Sequence, residues 1–456
     1  MSAPLSSGVT TGAVSPSPTA AEDAANLRRA RWGGLAGTAL EQYDFVIYGT
    51  ASALVFNTVF FPDVSPAVGY LGSFGAYAVG FLARPLGGLF FSRFGDRLGR
   101  KWVLVTTLYL MGIATFLIGL LPTYETIGLA APLLLVVLRC LQGFGAGAEM
   151  AGGTVLLAEA ARPGRRGLTA ALVWVGASGG TALGAVVWLA VQQLPDDAMM
   201  SYGWRLVFLS SLLVTLLAYL LRRKLQDPRV FTEAAREQAR EHAGERRPSP
   251  IKDVWTNSRR NVLRVFAMVA GVSLNSYTYQ VFMGSYLVSN VGADKAVFTR
   301  ALLIGAVCGM GAAVFFGWLS DRLGRRPAYT TTALAMMTLP VPAFLMLDTG
   351  SPVMITAVII LGFVFAAEGS VSAQAAYLPE IFGSRYRYAG VTMGRELASV
   401  VGGAGPLVCS ALVTWASGSW IPVAALMIVS IAVSLAATWR TPETRDRDLF
   451  SEADAT

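Results

Sequence analysis

The chain has 456 residues, of which 54% are hydrophobic and only 14% charged, and its mean hydropathy is +0.53. Soluble domains carry roughly 25% charged residues, so this composition excludes an ordinary water-solvated globule and puts most of the chain in lipid. The formal net charge of +8 raises nucleic acid as a partner, but the basic residues fall in every second loop between apolar stretches, which is a membrane-topology pattern.

Taken in chain order, residues 1 to about 26 are rich in Ser, Thr, Pro and Ala. With Arg28, Arg29 and Arg31 behind them, residues 1–31 are expected to form a disordered cytoplasmic tail and not a signal peptide. Twelve apolar segments follow, near 33–60, 68–92, 102–121, 131–158, 169–194, 204–221, 263–290, 298–319, 328–347, 353–378, 389–415 and 420–439. Their lengths suit helices crossing a bilayer, which needs about 20 residues, and the short alternating segments of a membrane barrel are absent. The expected fold is therefore an all-α membrane protein with twelve transmembrane helices in two six-helix bundles, 32–221 and 263–440. A linker, 222–262, joins them, and a tail, 441–456, follows. Within the linker, Glu233–Glu241 has helix-forming residues and Arg246-Arg-Pro-Ser-Pro250 reads as a tether.

Thirty of the 36 Lys and Arg lie on the side of the termini and linker, whereas Lys295 and Arg300 lie opposite. The positive-inside rule then makes both termini and the linker cytoplasmic, in a plasma (inner) membrane. Cys140, Cys308 and Cys409 sit singly in apolar stretches, and His242, the one histidine, lies in the most polar stretch. That leaves no zinc-site spacing, disulfide framework or histidine relay, and no cofactor is expected.

A dense charged run, Gly95-Asp96-Arg97-Leu98-Gly99-Arg100-Lys101, follows the second segment and recurs as Ser320-Asp321-Arg322-Leu323-Gly324-Arg325-Arg326 after the eighth. The two stand at equivalent places in two halves of a duplicated chain. With twelve spans, this resembles the major facilitator superfamily, whose signature loop reads G-x-x-x-D-[RK]-x-G-R-[RK]. The second copy matches from Gly317 to Arg326, and the first has Ser92 at the leading position. Within the superfamily, four stretches resemble the metabolite:proton symporter family: Gly37-Thr-Ala-Leu-Glu41 through Tyr48-Gly49-Thr50, Gly80-Phe-Leu-Ala-Arg84-Pro-Leu-Gly-Gly88, Arg139-Cys-Leu-Gln142-Gly143 through Glu149, and Leu378-Pro-Glu380 through Gly390. Departures are Gln42 and Met150, where aromatics are usual, and Arg395-Glu396, where neutral residues are common. The resemblance implies proton-coupled import of a small polar metabolite.

Ionisable side chains inside a bilayer cost about 2.5–3.5 kcal/mol each on insertion scales, so each one here is a site candidate. Glu41, Asp44 and Tyr48 are spaced i, i+3, i+7 and share a helical face, expected to look into the transport cavity with Tyr43 nearby. Glu41 and Asp44, with Glu149, are the candidate proton carriers. Arg139 and Gln142 share a face with Glu149; Arg139 is expected either to hold a substrate carboxylate or to neutralise Asp44 or Glu41. Tyr43, Tyr48, Gln142, Gln280, Gln374, Arg395 and Glu396 complete the candidate substrate residues, with Glu368, Asn275, Tyr277 and Tyr279 as further inward polar positions. Arg84, followed by Pro85, is expected to serve in gating. So are the loop residues Asp96, Arg97, Gly99, Arg100, Asp321, Arg322, Gly324 and Arg325, together with Glu380. Asp96 is expected to meet a neighbouring helix N-terminus, and Arg100 and Lys101 to pair with Glu159 or Glu380.

An enzyme is disfavoured because no phosphate loop, metal-ligand cluster or histidine base is present, and the chain has no Walker loop for ATP-driven transport. A proton-coupled exporter typically has Gly-Pro-x-x-Gly-Gly in the fifth span, but Gly176-Ala-Ser-Gly179-Gly180 lacks the proline. The expectation is a monomeric secondary transporter that takes up a small carboxylate or a zwitterion such as proline or betaine, with no nucleic-acid partner.

Overall fold

The computed structural model describes residues 20–98, 100–147, 150–162, 164–223, 250–449 and 453–455, and every regular element among them is helical. All twelve apolar segments become helical crossings. Seven are built on one main helix: α1 (Ala20–Leu54, with a further turn at Phe56–Val59), α2 (Pro66–Leu98), α3 (Arg100–Gly119), α5 (Arg166–Val191), α8 (Lys295–Leu323), α11 (Arg387–Trp415) and α12 (Ile421–Trp439). The other five are interrupted. α4 runs Ala130–Ala146 and resumes at Met150–Glu159, and α6 joins Trp204–Leu209 to Ser211–Arg223. α7 (Arg259–Tyr277) passes through a wider π turn at Thr278–Phe282 into Met283–Tyr286, and α10 (Pro352–Leu361) through another at Gly362–Ala367 into Gly369–Ala373 and Tyr377–Ile381. α9 joins Arg325–Thr338 to Pro340–Leu347 with a 42° bend, which Pro340 explains by removing a backbone donor.

The ends differ from the sequence expectation. α1 begins at Ala20, inside the stretch read as a disordered tail, because Ala20-Ala-Glu-Asp-Ala-Ala is itself a run of mostly good helix formers that the span can extend. A short helix, Pro250–Asn257, precedes α7. The surface helix expected at Glu233–Glu241 lies outside the described residues.

Small residues let the helices approach closely, as lipid-embedded packing requires. A Cβ at Gly143 of α4 would lie 1.8 Å from the carbonyl oxygen of Gly80 in α2. The two halves meet mainly where α8 lies along α5 and α11 along α2. At the first of these, a Cβ on Gly317 would come 2.5 Å from that of Ala171. Large apolar side chains such as Leu213, Val353 and Ile421 point outward, more than 60% exposed, and furnish a lipid-facing surface. One end of the bundle gathers the loops with Arg166, Asp321, Arg325, Glu380, Arg387 and the tail after α12; it is called the basic face below.

Candidate functional site

Polar side chains in the interior fall into three groups. The first is an ion triad. Arg84 of α2 lies 2.9 Å from Glu41 of α1 and 2.9 Å from Glu396 of α11, with all three side chains at most 5% exposed. A guanidinium suits this position because its planar fork can satisfy two carboxylates in different directions. Glu41 belongs to the same half as Arg84 and Glu396 to the other, so the triad ties the halves together. Glu41 is thus neutralised by Arg84, whereas the sequence suggested Arg139.

The second group lies within the N-terminal half. Arg139 of α4 is fully buried among aromatic rings, its guanidinium carbon 4.2 Å from the centroid of Tyr48, 4.7 Å from Phe45 and 4.8 Å from Tyr77. It donates to the amide oxygen of Gln142, and Gln142 donates to Thr115 at 2.7 Å. Among the described residues no carboxylate pairs with Arg139 within ion-pair distance; the negative ring faces supply the counter-charge. Asp44 lies beside Thr115 and Arg139. Together with Glu41 it borders a small cavity closed by Leu40, Leu108, Met111, Val214 and Thr215. The shared face of Glu41, Asp44 and Tyr48 therefore looks into the N-terminal bundle and not into the space between the halves. Tyr43 is turned away as well, its hydroxyl 2.6 Å from that of Ser210 in α6.

The third group surrounds a cavity between the halves. Gln42, Arg84 and Trp174 line it from the N-terminal half; Ser276, Tyr277, Gln280, Glu368, Arg395 and Glu396 are among the residues facing them. Both π turns border it, at Gln280 and Ala367, where irregular backbone inside a membrane is tolerated. Gln42 donates to Gln280 across the gap at 3.3 Å, and Gln280 to Ser276 at 2.7 Å. The guanidinium of Arg395 stacks 4.8 Å from the Trp174 ring centroid. Among the described residues no carboxylate comes within ion-pair distance of it; Glu396, next in sequence, is directed to Arg84. Gln374 is buried with neither amide atom partnered and lies off this cavity. Asn275 bonds instead to Met427 and Ser430 of α12, and Tyr279 packs on Gly362 of α10.

The basic face holds a latch. Asp321 accepts hydrogen bonds from the backbone N–H groups of Gly167 and Leu168 at 2.7 and 2.8 Å, capping the N-terminus of α5 from the opposite half. Arg325 pairs with Asp321 at 2.9 Å and with Glu380 at 2.9 Å. Arg387 pairs across the interface with Glu159 at 2.9 Å. Glu380 and Glu159 are thus held by Arg325 and Arg387; the side chains of Arg100 and Lys101, the partners the sequence suggested, lie outside the described residues. Gly324 turns the chain at a φ of 105°, a conformation that favours glycine, and the turn brings the N–H groups of Arg325 and Arg326 onto Glu443, each at 2.9 Å. Arg322 is exposed and lies over Trp318 at 5.1 Å. Gly99 and Glu149 lie outside the described residues, as do the side chains of Asp96, Arg97 and Arg100.

Sequence reasoning missed Trp174, Thr115, the Phe45 and Tyr77 rings that join Tyr48 around Arg139, and Glu443. Only Glu443 had a local signal, the Thr441-Pro442-Glu443 run just past the last helix.

Comparison with known proteins adds the family. The profile of the Major Facilitator Superfamily matches residues 45–395. The chain is 38% identical over 410 residues to the shikimate transporter of Escherichia coli K12, covering 89% of this chain and 92% of that protein. It is 31% identical over 442 residues to the proline/betaine transporter of the same strain, covering 94% and 86%. Among solved structures, its fold is similar to that of the proton:xylose symporter XylE bound to 6-bromo-6-deoxy-D-glucose, with a TM-score of 0.67 at 17% identity over 94% of this chain and 99% of that one. Twelve helices in two related halves, the repeated charged loop and these matches lead to one conclusion: the chain is a multi-pass membrane transporter belonging to the major facilitator superfamily.

Proposed function

We propose that the protein imports a small organic acid, in its carboxylate form and in preference to a zwitterion such as betaine, together with protons. The two halves rock about the central cavity and expose it to one side at a time. The basic face, with both termini and the linker, is cytoplasmic, and the protein sits in the plasma (inner) membrane as a monomer.

The observation that carries this reading is Arg395. It is a guanidinium buried in the cavity wall, stacked on Trp174 of the opposite half, with no protein carboxylate paired to it among the described residues. A buried cation without a partner is costly, and a substrate carboxylate would supply the missing charge through the planar donor fork. Gln42, Gln280, Ser276 and Tyr277 offer uncharged groups to orient the remainder of the solute. Glu41 and Asp44 share a separate small cavity and are assigned the proton. The shikimate and proline/betaine transporters among the relatives support a solute that carries a carboxylate.

The test is uptake into vesicles with an imposed pH gradient, comparing shikimate, oxo acids, benzoates, proline and betaine. Accumulation of an acid that a protonophore dissipates and Arg395→Gln abolishes is the expected result. Robust betaine transport with no uptake of any acid overturns the assignment of an acid substrate.

A further inference from the structure

Glu368 has no role in the scheme above, yet it occupies the most irregular point of α10. It stands between the π turn Gly362–Ala367 and the helix Gly369–Ala373, is 3% exposed, and lines the cavity between the halves. Its Oε2 has no other polar neighbour at hydrogen-bond geometry, and the hydroxyl of Ser178, in α5 of the other half, lies beside the carboxyl with no other partner. The two side chains converge on Gly309 of α8. A Cβ placed there would lie 2.8 Å from Cγ of Glu368 and 3.0 Å from Oγ of Ser178. The missing side chain at Gly309 thus makes room for a carboxyl group at the interface that moves during transport.

We propose that Glu368 is a second proton-carrying carboxylate, distinct from Glu41 and Asp44, which is loaded and unloaded as the two halves separate. The proposal rests on the alternating-access reading above. The charged groups that share its cavity are Arg395 and Glu396 from α11 and Arg84 from α2, and Arg84 is already engaged by Glu41 and Glu396. From the remaining neighbours, α5 presents Trp174 and Ser178, α7 presents Tyr277 and Gln280, and α8 presents Gly309, none of them a cation. With the halves closed, the protonated carboxyl has the Ser178 hydroxyl as a ready acceptor for its O–H. When α5 and α10 part, water reaches the carboxyl and the proton leaves to that side; reclosure favours a proton again, because one hydroxyl donor and no paired cation leave an ionised carboxylate costly there. One proton is taken from water on one side and delivered to water on the other, with no other group consumed.

The first measurement is infrared difference spectroscopy of the purified protein on a pH jump, following the stretching band of protonated carboxyl groups. Part of that band is expected to vanish in Glu368→Gln and to remain in Asp44→Asn. In vesicles, Glu368→Gln is expected to retain counterflow exchange while pH-driven accumulation falls to the external concentration, and Glu368→Asp to restore accumulation in part. If Glu368→Gln does not fold, as judged by gel filtration, Ser178→Ala serves instead and is expected to shift the pH at which the band titrates. A band unchanged in the variant tested, or wild-type accumulation by Glu368→Gln, overturns the proposal. The infrared result does not depend on which solute is carried, so a failure of the carboxylate reading is seen separately.

Discussion

Asp321→Asn isolates the latch on the basic face. The carboxylate of Asp321 accepts two backbone N–H bonds from the first turn of α5, at 2.7 and 2.8 Å, and crosses from one half to the other. Asparagine keeps one acceptor oxygen and loses the charge. A hydrogen bond to a charged group contributes about 1.5–3 kcal/mol, and an anion at a helix N-terminus about 0.3–1 kcal/mol. Arg325 keeps its second partner, Glu380, so the side chain of Arg325 stays in place and the lower end applies, roughly 2 kcal/mol of lost attachment between the halves. That corresponds to an increase of about 30-fold in the population open at the basic face. The assay uses Ser276→Cys, a position in the cavity wall, in vesicles that present the basic face, with a membrane-impermeant maleimide; labelling of the parent chain is subtracted to allow for Cys140, Cys308 and Cys409. The labelling rate should rise by about tenfold or more when Asp321→Asn is added. An unchanged rate would refute the idea that this carboxylate holds the face closed.

Three further outcomes follow from the same geometry. Arg84→Gln leaves Glu41 and Glu396 buried without their shared cation, which should lower stability by about 3–5 kcal/mol; thermal unfolding in detergent should show a large drop, mostly recovered when Glu41→Gln and Glu396→Gln are added, and an unchanged unfolding temperature would exclude the triad as a support of the interface. Asp44→Asn should abolish gradient-driven accumulation yet leave exchange intact, and accumulation at the wild-type level would show that Asp44 carries no essential proton. Glu443→Gln removes the anion that collects the first N–H groups of α9 and should cost about 0.5–2 kcal/mol, read as a modest fall in unfolding temperature.

The crossings were legible because two independent signals agree at each one: an apolar run of suitable length and charge at one end. The start of α1 was misread because the Ser- and Pro-rich residues before it obscured the helix formers from Ala20 onward. For the site, helical periodicity correctly grouped Glu41, Asp44 and Tyr48 on one face, but periodicity does not say which neighbour that face meets. The interior of the N-terminal bundle received it, and the adjacent Gln42 was left to face the cavity. The role given to Asp96, an anion at a neighbouring helix N-terminus, is the one that Asp321 performs in the second copy. The partners of Glu159 and Glu380 were not legible, since Arg325, Arg387 and the loop bases are alike in sequence and only tertiary packing selects among them. The box around Arg139 was invisible for the same reason: Phe45, Tyr48 and Tyr77 come from two other helices.

The contacts between the halves are unlike on the two sides of the cavity. Toward the basic face they are charged and directional: Arg84 to Glu396, Asp321 to the N-terminus of α5, Arg387 to Glu159. Away from it, among the described residues, they are small or neutral, as with Val281 against Gly49 and a neutral hydrogen bond from Gln192 to Thr299 at 3.0 Å. Charge-assisted hydrogen bonds weaken steeply with distance and angle, so a displacement of a few ångströms breaks them together, whereas apolar surfaces can slide by small steps. The basic face is therefore built to be either shut or open, with few intermediate positions, as bistable packed interfaces are. Its opening depends on a handful of named bonds, and a substitution there acts through the population of states. A substitution on the opposite side acts through volume, as Gly49 shows: a Cβ at that position would come 2.8 Å from a methyl of Val281, pressing on the other half without touching a charge.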